Sequence, residues 1–252
     1  MRIAIFSDVH GNLSGLKAVL ADIDRREADL VIFAGDLCLA GPRPADTLRL
    51  VLDRRIPSVI GNTDGWIAGV AEPPAPAAKL VDWTRTRLSG EEVARLAELP
   101  FALRISPTPR PADDLLIVHA NPFNVNDLLY PPEHEQLDRY GEIRQSDADL
   151  TNQFAGVEAA MLAFGHLHIP SVRPLGLMTL VNVSSVSMPG DGDGRAKYAI
   201  LEWVNGTWTA THYRVAYDMR AEREAFIAEQ PPGWEDALAS IDTRGYYSPQ
   251  RV

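Results

Sequence analysis

The sequence predicts an α/β protein with parallel βαβ units, and three observations support this fold class. Between residues 3 and 60, short apolar runs rich in β-branched residues alternate with segments whose apolar residues recur at helical spacing. Polar side chains of the kind that bind metal ions directly follow several of these runs. From Leu177 onward the pattern changes to strands joined by tight turns, of which Asn205-Gly206 is the strongest hairpin signal. Because ligands collect beyond the carboxyl ends of strands in open α/β sheets, we expect the functional site there.

Length and composition describe a globular protein that can form a full hydrophobic core. The 252 residues include 34 acidic and 24 basic ones, and the net charge of −10 argues against bulk binding to nucleic acid or to an anionic membrane. The single cysteine, Cys38, excludes an internal disulfide and fits a reducing compartment. No apolar run approaches the ~20 residues of a membrane span, and Asp8 comes too early for a signal peptide. We therefore expect a cytoplasmic protein.

The first unit begins with the apolar strand Ile3–Phe6. Asp8 and His10 follow it at i and i+2, so in an extended chain both side chains would point to the same side. Gly11 then allows the chain to turn into a helix. The core-facing residues of this helix are Leu13, Leu16, Val19, Leu20 and Ile23.

Four later apolar strands also end in polar groups. They are Leu30–Ala34 before Gly35-Asp36, Pro57–Ile60 before Gly61-Asn62, Leu115–Val118 before His119, and Glu158–Phe164 before Gly165-His166-Leu167-His168. Histidines scattered through a core would have no reason to follow strand ends repeatedly. The pattern therefore indicates one shared site.

The remaining segments complete the predicted fold. Helices are expected over Ala45–Arg54 and over residues 79–99, where Ser89 and Glu92 have the form of a capping box. Residues 123–150 are predicted to form a polar loop with short helices near the mouth of the site. Predicted strands are Phe101–Ile105 at a sheet edge, Met178–Val183, Tyr198–Val204 and Trp208–Val215. We expect one domain over residues 1–218 and a helical tail over residues 219–252.

The seven polar side chains at the strand ends suit a transition-metal site. They are Asp8, His10, Asp36, Asn62, His119, His166 and His168. Imidazole, carboxylate and amide oxygen suit Mn, Fe, Zn or Ni, and the absence of thiolates argues against a structural zinc knuckle. Seven ligands are too many for one ion and fit two ions that share a carboxylate.

These motifs resemble, in order, the five motifs of the calcineurin-like metallophosphoesterases. The matching segments are Asp8-x-His10, Gly35-Asp36, Gly61-Asn62, His119 and Gly165-His-x-His168. Two further segments, 35–42 and 182–198, resemble the bacterial and archaeal branch related to diadenosine tetraphosphatases. The resemblance extends from the N-terminus to about residue 215.

The resemblance implies a four-layer α/β/β/α sandwich, in which two packed mixed β-sheets are flanked by helices. It implies that one metal ion takes Asp8, His10, Asp36 and His168, and that a second takes Asp36, Asn62, His119 and His166. A hydroxide bridging the two ions would attack phosphorus directly, which gives Asp36, Asn62 and His119 catalytic roles. The expected substrate is a phosphomonoester, a phosphodiester or a nucleotide polyphosphate.

The sequence departs from the family at Thr63. Much of the family has a histidine there that helps to protonate the leaving group, and general acid catalysis commonly contributes ~10²–10⁴ in rate. A threonine hydroxyl is too weak an acid for this role, so we predict a preference for good leaving groups such as aryl phosphates or nucleotide polyphosphates. Asp64 keeps its family position, where it could be a turn carboxylate or could support the metal ligands.

Several other residues have less specific interpretations. Met188 and Gly190 stand where the branch often has a polar residue and an arginine, so phosphate contacts there are open. Arg195 and Arg43 are candidates for such contacts, with solvated arginines as the alternative. Cys38 is predicted to be packed in the core, His134 to be exposed and His212 to be structural.

The leading hypothesis is a dinuclear metal-dependent phosphoesterase. The alternative is a metal-binding module on the same scaffold that has weak or no turnover and acts by binding a partner. Thr63 keeps this alternative open, whereas the presence of all seven ligands argues against it. The Asp-x-Asp motif of aspartyl-phosphate phosphatases is missing, because Phe6 stands two residues before Asp8, where that motif has its first aspartate. The metallo-lactamase motif is not found after His168.

Overall fold

The computed structural model describes residues 1–242 and contains two mixed β-sheets. The strands are β1 (Arg2–Phe6), β2 (Leu30–Phe33), β3 (Ala102–Ile105), β4 (Leu115–Val118), β5 (Met161–Phe164), β6 (Ser171–Leu175), β7 (Met178–Asn182), β8 (Ala196–Val204) and β9 (Thr207–Val215). One sheet has the order β2-β1-β8-β9, and the other has the order β3-β4-β5-β7-β6. β1 and β2 are parallel, as are β4, β5 and β7.

Helices flank these sheets. They are α1 (Leu13–Arg25), α2 (Pro44–Asp53), α3 (Asn62–Ala68), α4 (Ala78–Thr86), α5 (Gly90–Ala97), α6 (Glu133–Tyr140), α7 (Asp147–Gln153), α8 (Met219–Glu229) and α9 (Trp234–Asp242), with single 3₁₀ turns at Ala75–Ala77 and Pro111–Asp113. The predicted fold of two packed mixed sheets flanked by helices is therefore confirmed.

The alternation of side chains along β1 explains the layers. Ile3 and Ile5 pack between the sheets, in the same cluster as Ile117 of β4. Ala4 and Phe6 lie on the opposite face and pack with the apolar residues of α1. A third cluster covers the outer face of the second sheet with residues of α7. Because both sheets are buried on both faces, their central strands are continuously apolar.

Two strand predictions need correction. Pro57–Ile60 is not a strand, since its only ladder contact is an isolated bridge between Ser58 and Phe33. β6 was not predicted, because Arg173 is buried and Val172 is exposed along it, which reverses the usual pattern. Pro174 is tolerated because β6 is an edge strand.

The other predicted elements are largely confirmed. β3 is an edge strand, as expected. The predicted helix over residues 79–99 is divided into α4 and α5, and the capping box of Ser89 and Glu92 begins α5 with backbone-to-side-chain bonds of 2.7 and 3.2 Å. The loop 123–150 contains α6 and the start of α7.

The C-terminal segment contains α8, which packs against α1, and α9. Residues 243–252 of the predicted tail lie outside the described residues, so the division at residue 218 stays a prediction. Within residues 1–242, no helix is long and apolar enough to cross a membrane.

Candidate metal centre

The loops that follow β1 and β2 run side by side and hold three of the predicted ligands. The backbone N–H groups of Asp8 and His10 donate to the carbonyls of Gly35 and Asp36, at 2.9 and 3.1 Å. Asp8, His10 and Asp36 have positive φ angles of 55°, 47° and 66°. The chain is therefore not extended at Asp8 and His10, and the argument from alternation along a strand was wrong. Such conformations are uncommon for residues with a side chain, and they cluster at functional sites.

The first ligand cluster is formed by Asp8, His10 and His168, all of which are buried. His168 Nε2 lies 3.1 Å from Asp8 Oδ1 and 3.4 Å from His10 Nε2. His10 Nε2 is 3.7 Å from Asp8 Oδ1. These atoms are close enough to share one ion.

The second cluster is formed by Asp36, His119 and His166, and Asn62 lies beside it. His119 Nε2 lies 3.0 Å from Asn62 Oδ1, 3.2 Å from His166 Nδ1 and 3.5 Å from Asp36 Oδ1. The other carboxylate oxygen of Asp36, Oδ2, lies 3.8 Å from His10 Nε2 in the first cluster. Asp36 therefore stands between the two clusters.

Each of the four histidines places its second ring nitrogen against a backbone carbonyl. The pairs are His10 Nδ1 with Leu39 (3.0 Å), His119 Nδ1 with Ala34 (2.9 Å), His166 Nε2 with Asn126 (2.8 Å) and His168 Nδ1 with Met188 (3.0 Å). A carbonyl only accepts, so the ring N–H donates there. The nitrogen that faces the cluster keeps its lone pair, as a metal ligand requires.

In both clusters, hydrogen-bond acceptors face other hydrogen-bond acceptors. Among the described residues, Asp8 Oδ1 has no hydrogen-bond donor, although it is fully buried. Buried oxygen and nitrogen lone pairs at 3.0–3.4 Å repel one another unless a cation lies between them. The residues therefore fit divalent metal ions on their donor chemistry alone.

The charges of the site act on the histidines in different ways. Burial, together with neighbouring His119, lowers the pKa of His166 to about 4, so this ring is neutral near pH 7. Burial alone would lower the pKa of His119, but the nearby carboxylates Asp36 and Asp8 outweigh burial and raise that pKa. Protons therefore compete with metal ions at His119.

Asp64 supports the loop that holds Asp36. Its fully buried carboxylate accepts the N–H groups of Asp36, Leu37 and Gly61 at 2.8, 2.9 and 3.0 Å. Burial, followed by the charge of Asp36, raises the pKa of Asp64 to about 6. Both interpretations left open by the sequence apply, since Asp64 closes the turn at the start of α3 and fixes the backbone of a candidate ligand.

The motif glycines allow close approach of backbone to ligand. A Cβ atom at Gly165 would lie 2.2 Å from Asp8 Oδ2, and one at Gly61 would lie 2.1 Å from Asp36 Oδ1. Either contact is far below van der Waals distance. Neighbouring loops can therefore meet only if these positions have no side chain.

The last residue of β7 and the segment that follows it also support the ligand loops, a role that the sequence pattern of residues 182–198 does not indicate. Asn182 Nδ2 donates to the Gly165 carbonyl at 2.7 Å, and Ser184 Oγ donates to the His168 carbonyl at 2.7 Å. Ser185 Oγ donates to the Asp8 carbonyl at 2.8 Å.

The less specific candidates are not members of either ligand cluster. Arg195 pairs with Asp193, and Arg43 contacts Glu222 and Ser14. Cys38 is buried, His134 is exposed, and His212 Nε2 contacts the Asn182 carbonyl at 2.7 Å; these placements agree with the predictions.

Comparison with known proteins establishes the family. A model of the calcineurin-like phosphoesterase superfamily domain matches residues 1–206, which is most of the chain. The chain belongs to this superfamily. Membership, together with the two ligand clusters, identifies the protein as a metal-dependent phosphoesterase and confirms the predicted enzyme class.

Similar proteins match nearly the whole chain. An uncharacterized protein of Methanocaldococcus jannaschii is 26% identical over 240 residues, which cover 92% of this chain and 94% of the relative. The crystal structure of a metallophosphoesterase from Sphaerobacter thermophilus is 26% identical, has a TM-score of 0.73, and covers 97% of this chain and 99% of its own. The crystal structure of a hypothetical protein of Pyrococcus horikoshii OT3 shares the fold at 18% identity and a TM-score of 0.78. The match covers 95% of this chain and 97% of that protein.

Proposed function

We propose that the protein hydrolyses a small phosphoester with two divalent metal ions that share Asp36. One ion would be held by Asp8, His10, Asp36 and His168, and the other by Asp36, Asn62, His119 and His166. The observation that carries this proposal is the position of Asp36, whose two carboxylate oxygens lie 3.5 Å from His119 Nε2 and 3.8 Å from His10 Nε2. A carboxylate between two ligand clusters is the arrangement that a two-metal site requires.

When bound, the two ions supply an activated water as nucleophile and positive charge for the phosphoryl group. The protein holds the ligands in place before the substrate arrives. Four backbone carbonyls fix the imidazole rings, and Asp64 and the Thr63 N–H fix Asp36. Because these contacts hold the ligand side chains in place beforehand, less reorganisation of the site is needed during the reaction.

The substrate would approach beside His166. Six of the seven predicted ligands are buried, whereas His166 is half-buried, so the clusters open to solvent on its side. The exposed residue Asn126 lies at this opening, with its carbonyl 2.8 Å from His166 Nε2. This placement supports the prediction that the 123–150 segment lies near the mouth of the site.

The substrate class follows from the ligands and from Thr63. We infer a phosphomonoester, phosphodiester or nucleotide polyphosphate with a good leaving group. Manganese is the first ion to test, and Fe, Zn and Ni suit the same ligands. A cytoplasmic location remains a prediction, with which the buried single thiol of Cys38 is compatible.

Hydrolysis of p-nitrophenyl phosphate and bis(p-nitrophenyl) phosphate with added Mn²⁺ tests this function. Loss of an outer partner of a metal ligand typically costs ~10–100-fold, so losing a ligand should cost at least ~10²-fold in activity. We expect this loss in Asp36→Asn and His119→Ala. The matched control Asp24→Asn changes an exposed residue on α1 and should keep full activity.

Elemental analysis of the same proteins separates the two candidate functions. Two bound ions with turnover support the phosphoesterase. Two bound ions without turnover on any mono-, di- or dinucleoside polyphosphate ester would favour the binding module. Activity that survives in Asp36→Asn at the wild-type rate would contradict the proposed site.

A further inference from the structure

A buried carboxylate from the C-terminal helix lies next to the loops that hold the metal ligands. Glu222 of α8 is 1% exposed. Its Oε2 accepts from the Arg43 guanidinium and, at 3.3 Å, from the backbone N–H of Ser14. Arg43 Nη2 also donates to Ser14 Oγ at 2.8 Å. The family match ends at residue 206, so α8 is an element beyond the matched domain.

One partner of Glu222, Arg43, ends the loop that carries Asp36, and the other, Ser14, lies in the first turn of α1, directly after the loop that carries Asp8 and His10. Arg43 ends the loop after β2, and its backbone N–H donates to the Gly11 carbonyl at 3.3 Å. Gly11 directly follows His10, and its own N–H donates to the Leu37 carbonyl at 2.8 Å. Glu222 is therefore linked to the residue next to the ligand His10 through the Arg43 side chain and the backbone hydrogen bond between Arg43 and Gly11.

The ion pair between Glu222 and Arg43 is mostly buried, so removing one partner strongly affects the other. The Arg43 side chain is 23% exposed, and that of Glu222 is 1% exposed. Removing the carboxylate would leave a guanidinium without its counter-charge in a largely dry position, which is strongly unfavourable. The loop that carries Arg43 would then have to move toward water and would pull on Gly11.

We propose that Glu222 is a positioning residue for the metal centre, so that α8 is required for full metal affinity. The inference rests on the proposed function only in that the loops after β1 and β2 must bind metal. Outer partners of metal ligands typically contribute ~10–100-fold to affinity, and Glu222 acts one step further out. We therefore expect an effect of about tenfold, at the low end of that range.

Titration of metal-free full-length protein with Mn²⁺ alone, followed by calorimetry at 20 °C, tests this role. Glu222→Ala should bind Mn²⁺ about tenfold more weakly than the wild type. Glu222→Gln keeps an acceptor for Ser14 and Arg43 but removes the counter-charge of the guanidinium, so its affinity should lie between those of Glu222→Ala and the wild type. Glu224→Ala is the matched control, because Glu224 lies on the same helix with its side chain 66% exposed, and it should leave the affinity unchanged.

Two comparisons separate this inference from simpler explanations. A merely stabilising role of Glu222 would lower the unfolding midpoint in EDTA but leave the Mn²⁺ dissociation constant of the folded protein unchanged, which would overturn the proposal. If Glu222→Ala does not fold, Arg43→Gln, which removes the cation that pairs with Glu222, takes its place, and wild-type affinity in that variant would overturn the proposal equally. Wild-type protein that binds no Mn²⁺ would instead refute the proposed function, and with it this inference.

Discussion

At the scale of the residue, Thr63 gives the most specific expectation about catalysis. Its N–H donates to Asp36 Oδ1 at 3.0 Å, and among the described residues its buried hydroxyl has no hydrogen-bond partner. Because no strong acid stands there, rates should fall steeply as the pKa of the leaving group rises. Thr63→His should flatten this dependence and gain up to ~10² with poor leaving groups. The measurement is a series of aryl and alkyl phosphates under single-turnover conditions.

The matched control for this series is Thr63→Ala, which also lacks an acid and should keep the steep dependence. A flat dependence in the wild type, with the chemical step rate-limiting, would contradict the role assigned to Thr63. It would mean that another group protonates the leaving oxygen.

Residue chemistry also explains what the sequence could predict of the site. Carboxylates and imidazoles after strands carry a recognisable signal, and the seven predicted ligands lie in or beside two adjacent clusters. The backbone carbonyls that orient the imidazole rings carry no such signal, since every residue has a backbone carbonyl. The left-handed conformations of residues such as Asp8 and His10 were equally hidden, so residues that lie together in the structure were grouped for a wrong geometric reason.

At the scale of the element, β6 and the segment before α7 depend on one another through Arg173. This fully buried guanidinium donates to the carbonyls of Tyr130, Pro131 and Gln145 at 2.9–3.2 Å, and to Asp147 at 2.7 Å. Arg173→Met would leave these acceptors without a donor, so we expect a loss of about 3 kcal/mol or more in the free energy of unfolding. Urea denaturation measures this loss.

The control for that prediction is Arg139→Met on α6. Among residues 1–242, Arg139 pairs only with Glu135, at 4.0 Å and near the surface, and such pairs typically contribute less than ~1 kcal/mol. Equal and small losses in both variants would show that the buried network does not hold the segment.

The same strand shows why some elements escape prediction. Central strands are apolar on both faces and were found from the sequence, but β6 places Arg173 inside and Val172 outside. The burial pattern of β6 depends on the tertiary contacts of Arg173, which rules based on local sequence do not predict. Conversely, Pro57–Ile60 has strand composition, yet it forms only an isolated bridge with β2, through the hydrogen bonds of Pro57 and Val59 to Phe33.

At the scale of the whole molecule, the metal centre joins the two sheets. Asp8, His10 and Asp36 follow strands of the first sheet, whereas His119 and His168 follow strands of the second. Their ligand oxygens and nitrogens converge where the sheets meet, and a cation bound between them would relieve their mutual repulsion. Metal binding should therefore stabilise the fold as a unit.

Mn²⁺ at a hundred times its dissociation constant should add about 2.7 kcal/mol to the free energy of unfolding, by mass action. For a chain of this size that corresponds to a rise of roughly 5–10 °C in the unfolding midpoint, measured by circular dichroism against protein in EDTA. Asp36→Asn should lose most of this rise, because it weakens the ligand that both clusters share. Asp24→Asn, which changes an exposed pair with Arg54, should keep all of it. Equal midpoints with Mn²⁺ and with EDTA in the wild type would mean that the converging ligands do not bind the ion, whatever their geometry.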